Sequence, residues 1–151
     1  MTGMKLLEIK YHRFYSVYPE QRRYIAWLLL TGALAIHLAE EAGRNFLGLW
    51  NPEVAALGMP ALRFTFPVWA TLMTLSVAGL LILSYWVRRG TFWTPLAAYI
   101  FTLLMLSNGV AHLLFSWRER AWMAGAWTSP LLIAASIYLW ITVRRPSDKS
   151  G

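Results

Sequence analysis

Residues 92–117 read Phe92-Trp93-Thr94-Pro95-Leu96-Ala97-Ala98-Tyr99-Ile100-Phe101-Thr102-Leu103-Leu104-Met105-Leu106-Ser107-Asn108-Gly109-Val110-Ala111-His112-Leu113-Leu114-Phe115-Ser116-Trp117, a run without Lys, Arg, Asp or Glu. A helix crosses the hydrocarbon core of a bilayer in roughly 20 residues, so this stretch of 26 is long enough. Three further apolar stretches flank it. The first runs from about Tyr24 to Glu41, the second from Thr65 to Val87, and the last over 121–143, closed by Arg144-Arg145-Pro146. None alternates as a strand would, and a barrel needs many more segments. A cleavable leader fits poorly, because the residues before Tyr24 are polar and no small-residue cleavage site follows the first run.

The composition agrees. Of 151 residues, 58% are apolar and 14% charged, with a mean hydropathy of +0.45, whereas a soluble domain carries about a quarter charged residues. The absence of cysteine excludes disulfides, thiolate metal sites and cysteine nucleophiles. A net charge of +7 would point to nucleic acid in a soluble chain. Here it points to a membrane, with basic residues flanking spans on the cytoplasmic side, and not to nucleic acid. The expected fold is all-α: one integral membrane domain over 1–151, a four-helix bundle with antiparallel neighbours. Residues 4–18 mix apolar and basic positions and are expected to form an amphipathic interfacial helix.

Orientation follows from the Lys and Arg residues. Ten lie before the first span, between the second and third, and in the tail; four, Arg44, Arg63, Arg118 and Arg120, lie on the other side. Both termini are therefore expected in the cytoplasm. Residues 42–64 form the one sizeable loop, interfacial or lid-like. The small residues Gly32, Gly79, Gly109 and Gly125 are expected to allow close helix approach, and Pro130 to kink the last span.

Ionisable groups inside spans cost about 2.5–3.5 kcal/mol each on insertion scales, so they need a reason. Two places stand out. In His37-Leu38-Ala39-Glu40-Glu41, steps of three and four put His37, Glu40 and Glu41 on one helix face, with Arg44 one turn on. In the third span, Asn108 and His112 are likewise one turn apart. His37 lies about 10 Å short of Arg44, and His112 about 9 Å short of Arg118. Both clusters thus sit at similar depth in the outer half, with Thr128 and Ser129, and Thr71, near that level.

His37, Glu40, Glu41 and His112 form a ligand set of imidazole and carboxylate that suits zinc, iron or manganese. Two buried carboxylates support one divalent metal more readily than two. Without metal, a Glu beside a His can act as an acid/base pair; Glu40, Glu41 and Asn108 are the catalytic candidates. Taken singly, each group has a plainer explanation. His112 can be a packing residue, Glu40-Glu41 an interfacial turn paired with Arg44 or Arg63, and Asn108 an interhelical hydrogen bond of about 0.6 kcal/mol. Matched depth argues against separate accidents. His12 lies outside any span, as a surface residue.

The His-x-x-Glu-Glu of residues 37–41, with Gly43 and Phe46 following, and Asn108-x-x-x-His112 further on, resemble the signature of the HXXEE-domain family of small membrane proteins. Trp122-Met123-Ala124-Gly125-Ala126-Trp127-Thr128 resembles its continuation, a small-residue turn before a Thr; Ala124 stands where the family more often has Pro. The resemblance covers about Tyr24 to Val143. It implies a metal-binding or catalytic part for the His and Glu residues and supplies no substrate.

Together these readings point to a multi-pass membrane protein with a buried His/Glu/Asn site, a metal-dependent or acid/base enzyme of hydrolase or isomerase type acting on a lipophilic small molecule. The alternative is a non-catalytic accessory subunit that binds a cofactor or lipid. A transporter has little support, since no inverted repeat is visible.

Overall fold

The structure, a computed structural model, describes residues 19–144. The expected interfacial helix over 4–18, His12 and most of the basic tail lie outside the described residues. Within them the chain forms five α-helices and one 3-10 turn, with no strand. These are α1 (Pro19–Gly43), α2 (Phe46–Ala56), the 3-10 turn Pro60–Leu62, α3 (Phe66–Arg88), α4 (Thr94–Glu119) and α5 (Ser129–Arg144). Three of them, α1, α3 and α4, are long and apolar enough to cross a membrane.

Local chemistry sets the boundaries. Pro67 and Pro95 sit in the first turns of α3 and α4, where the missing N–H has no helical partner to lose. Asn45 and Arg120 take left-handed conformations just beyond α1 and α4, and a residue in that conformation cannot continue a helix.

The buried stripe of α1 runs Ala26, Trp27, Leu30, Ala33, Leu34, His37 and Glu41, steps of one, three and four that keep one face inward. Against it pack α5, through Leu132 and Leu139, and α3. Helix α4 lies on α5 and reaches α1 through Phe101, whose ring is 4.9 Å from Trp27. The Trp27 indole N–H donates to the Leu80 carbonyl at 2.9 Å, tying α1 to α3. Otherwise α3 buries little: of its residues only Trp69, Ser84 and Val87 are fully enclosed. Several helix hydroxyls bond back to their own backbones, as Thr31 does to Trp27 and Ser136 to Leu132, whereas the buried hydroxyl of Thr102 has no partner.

Three expectations change. The stretch over 121–143 is helical only from Ser129, and α5 is 16 residues long. Pro130 therefore opens this helix instead of kinking it. The sizeable loop over 42–64 is mostly ordered as α2 and the 3-10 turn. Asn51 clamps it, its amide pairing with both the N–H and the carbonyl of Phe64. Gly32 and Gly79 face open space, so neither is a point of close approach. Gly109 is one: a Cβ there would lie 2.8 Å from Ile133 of α5.

Candidate functional site

The face of α1 that ends in His37 and Glu41 meets the His112 face of α4, and the turn 121–128 before α5 closes over both. The rings of His37 and His112 stand edge to face with centroids 4.7 Å apart. Both are buried, at 0% and 8% exposure, as is Glu41 at 4%. Gly125 is what lets the turn come so close. It has φ +84, and a Cβ there would fall 2.7 Å from His112 and 2.9 Å from His37.

The hydrogen bonds fix which nitrogen of each imidazole faces inward. His112 Nδ1 lies 2.7 Å from the Ala124 carbonyl. A carbonyl only accepts, so this nitrogen carries the hydrogen. His37 Nδ1 lies 2.8 Å from Thr128 Oγ1, and that hydroxyl donates to Glu40 Oε2 at 2.7 Å. Having given its one hydrogen to the carboxylate, the hydroxyl accepts from His37, so Nδ1 is again the protonated atom. Both Nε2 atoms are then bare in the neutral rings. Asn108 Nδ2 donates to that of His37 at 3.2 Å.

Both bare nitrogens converge on one oxygen. Glu41 Oε1 is 2.9 Å from His112 Nε2 and 3.5 Å from His37 Nε2. Two acceptors at 2.9 Å repel unless a proton or a metal cation lies between them. His37, Glu41 and His112 each offer one ligand atom, and the three lie within 4.8 Å of one another. Ligands held at about 2.0–2.1 Å around a tetrahedral ion are about 3.3 Å apart, which these spacings bracket. The donor set fits a metal. Its hydrogen-bonded surroundings fit as well, because metal-ligating imidazoles characteristically donate their other N–H to a carbonyl or carboxylate.

Glu40 stands outside this group of three. Its carboxylate takes the backbone N–H groups of Trp127 and Thr128 at 3.3 and 2.9 Å, besides the Thr128 hydroxyl. It thereby satisfies donors at the start of α5, which the helix dipole favours. Arg44 approaches it at 3.8 Å and lies over the Trp127 ring. Ser129 bonds back to Gly125; Thr71 and Arg63 are exposed. Phe46 of α2 covers His112 with ring centroids 5.7 Å apart. Beside the site, Arg44, Leu49, Glu119, Trp122, Met123 and Ala124 line an open groove of about 550 Å³.

The sequence marks Gly125 as a point of close approach without showing that the two histidines are what it approaches, and it gives no sign of the Ala124 carbonyl. That carbonyl is a backbone group and leaves no side-chain signature.

The profile of a family described as a protein of unknown function with HXXEE motif matches residues 27–139. The chain belongs to the HXXEE family. No curated protein and no solved structure matches it significantly. The motif that names the HXXEE family thus divides in two: its His and last Glu face the cluster, and its first Glu holds the start of α5.

Proposed function

We propose that this HXXEE protein is a multi-pass membrane protein, a bundle of four apolar helices that binds one divalent metal on His37, Glu41 and His112. It acts as an enzyme on a lipophilic substrate. The observation that carries this reading is the pair of bare Nε2 atoms aimed at Glu41 Oε1, each ring locked from behind by an Nδ1 hydrogen bond. Two His and one carboxylate are the ligands of several catalytic zinc sites and of non-haem iron centres; manganese also suits the set.

Antiparallel packing is supported by contacts that pair opposite ends of neighbouring helices. Tyr24 at the start of α1 meets Arg88 at the end of α3, and Tyr99 near the start of α4 meets Trp140 near the end of α5. The Lys and Arg distribution supports cytoplasmic termini and a site in the outer half of the bilayer.

A bound divalent ion supplies Lewis-acid polarisation and a bound water of lowered pKa, chemistry that serves a hydrolase or an isomerase. The protein's own groups do the rest. Glu40 and Thr128 hold the His37 tautomer, and the Ala124 carbonyl holds that of His112. Ligation through His37 Nε2 would take the lone pair that accepts from Asn108, freeing that amide for a water or a polar group of the substrate. The groove walled by Leu49, Trp122 and Met123 admits an apolar chain, and Arg44 meets an anionic head.

A second reading has its own observation. The three donors are almost wholly enclosed, as in a site that only holds its metal, which fits an accessory or lipid-binding subunit. Metal analysis of detergent-purified protein, with mass spectrometry of incubated membrane lipids, tests both. One divalent ion per chain, lost in Glu41→Gln and His112→Ala, supports the centre. A metal-free wild-type protein loaded by none of zinc, iron or manganese overturns it. Bound metal with no change in any lipid favours the accessory role.

A further inference from the structure

The end of the molecule away from the His/Glu cluster carries five guanidiniums, Arg22, Arg23, Arg88, Arg89 and Arg144, and among the described residues one carboxylate, Glu20. Three of the arginines lie on aromatic rings: Arg88 over Tyr24, Arg89 over Tyr85 and Arg144 over Trp140. Arg23 differs. It is one turn before Trp27 on the inward stripe of α1. Its Nε is wholly buried and has no hydrogen-bond partner. A buried guanidinium nitrogen without an acceptor is costly, more so than a neutral donor.

We infer that Arg23 is the core of a binding site for the phosphodiester of an anionic phospholipid headgroup. The guanidinium fork matches the two free oxygens of a phosphodiester. The excess of positive charge around it favours a headgroup of net negative charge over a zwitterionic one. Depth selects a lipid over a free anion. Eighteen residues separate Arg23 from Glu41, about 27 Å along the helix, close to the ~30 Å hydrocarbon thickness. When Glu41 lies near one face, Arg23 lies among the headgroups of the other. Arg23 also falls outside the residues matched by the family profile. The inference rests on the membrane placement proposed above and is independent of the metal.

The test uses the full chain, purified in detergent and stripped of lipid, with lipid retention read by native mass spectrometry and stability by thermal unfolding. Phosphatidylglycerol should be retained and should raise the unfolding temperature; phosphatidylcholine and inorganic phosphate should do neither. Arg23→Gln should weaken phosphatidylglycerol retention about tenfold, the effect of losing one charge-assisted hydrogen-bonded contact. Arg23→Lys should fall between, keeping the charge and losing the fork. Arg63→Gln should match the parent. Without lipid, Arg23→Gln should be at least as stable as the parent, because it removes an unpaired charge. Equal retention by Arg23→Gln, equal binding of the zwitterionic lipid, an equal shift with inorganic phosphate, or a lower lipid-free stability of Arg23→Gln would each overturn the inference.

Discussion

His112 and Glu41 meet with Nε2 and Oε1 2.9 Å apart, while the same imidazole gives its other hydrogen to the Ala124 carbonyl. The contact joins two helices whose contributing residues are 71 positions apart. It needs a positive species at its centre.

Glu41→Gln separates the fold from the metal. The amide N–H₂ can donate to the bare Nε2 of His112, so packing is kept and the unfolding temperature should stay close to that of the metal-free parent. The anionic ligand is gone, and bound divalent metal should fall below detection by elemental mass spectrometry. Full metal occupancy in this variant would refute Glu41 as a ligand.

Thr128→Val cuts the link from His37 to Glu40 while keeping the shape of the side chain. Loss of a group that orients a metal ligand typically weakens affinity 10–100-fold. Competition with a chelator of known affinity measures this. Glu40→Gln should be of the same order and well short of the effect of Glu41→Gln. Because Glu40 also holds the start of α5, Glu40→Ala should cost about 1 kcal/mol of stability, the usual size of a lost helix cap.

Gly125→Ala places a methyl group against both imidazoles and forces a non-glycine residue to φ +84. Backbone strain of this kind costs about 1–3 kcal/mol, with overpacking added. Gly32→Ala, in a helix with open space around it, should instead stabilise by up to about 1 kcal/mol. Opposite signs in reversible detergent unfolding check the pair. Equal effects would mean that the turn does not bear on the histidines.

Metal removal should lower stability, and restoring the ion should recover it. At a free ion concentration 100 times Kd the gain is about 2.7 kcal/mol. Occupancy should drop on acidification. Ligation requires an unprotonated Nε2 on both rings, so protons compete directly with the ion. An occupancy that rises on acidification would contradict this ligand set.

Much of the site was legible because helical geometry is regular. The spacing of His37 and Glu41 puts them on one face, and the rise per residue puts His112 at their level; the two rings do stand together. What distinguishes Glu40 from Glu41 was not legible. Neighbours on a helix differ by about 100° of rotation, and the group that engages Glu40 is the backbone of Trp127 and Thr128, 87 and 88 positions away. Residues 121–128 have the composition of an apolar helix, so composition alone does not separate this turn from one. Only the conformation of Gly125 tells them apart. The length of α3 was read correctly, but its sparse burial was not, because apolarity alone does not say whether lipid or protein covers a side chain.

The late start of α5 has a consequence for the surrounding lipid. Sixteen residues make a rod of about 24 Å, some 6 Å less than the ~30 Å hydrocarbon slab. On the membrane reading proposed above, this is a hydrophobic mismatch on one flank of the molecule, beside Trp122 and Trp127, which are both exposed. Lipids beside a short segment thin to meet it, so headgroups and water descend there toward Ala124 and the buried donors. A greasy molecule diffusing in the leaflet would reach the groove sideways, through a dimple in the bilayer, without first leaving for solvent.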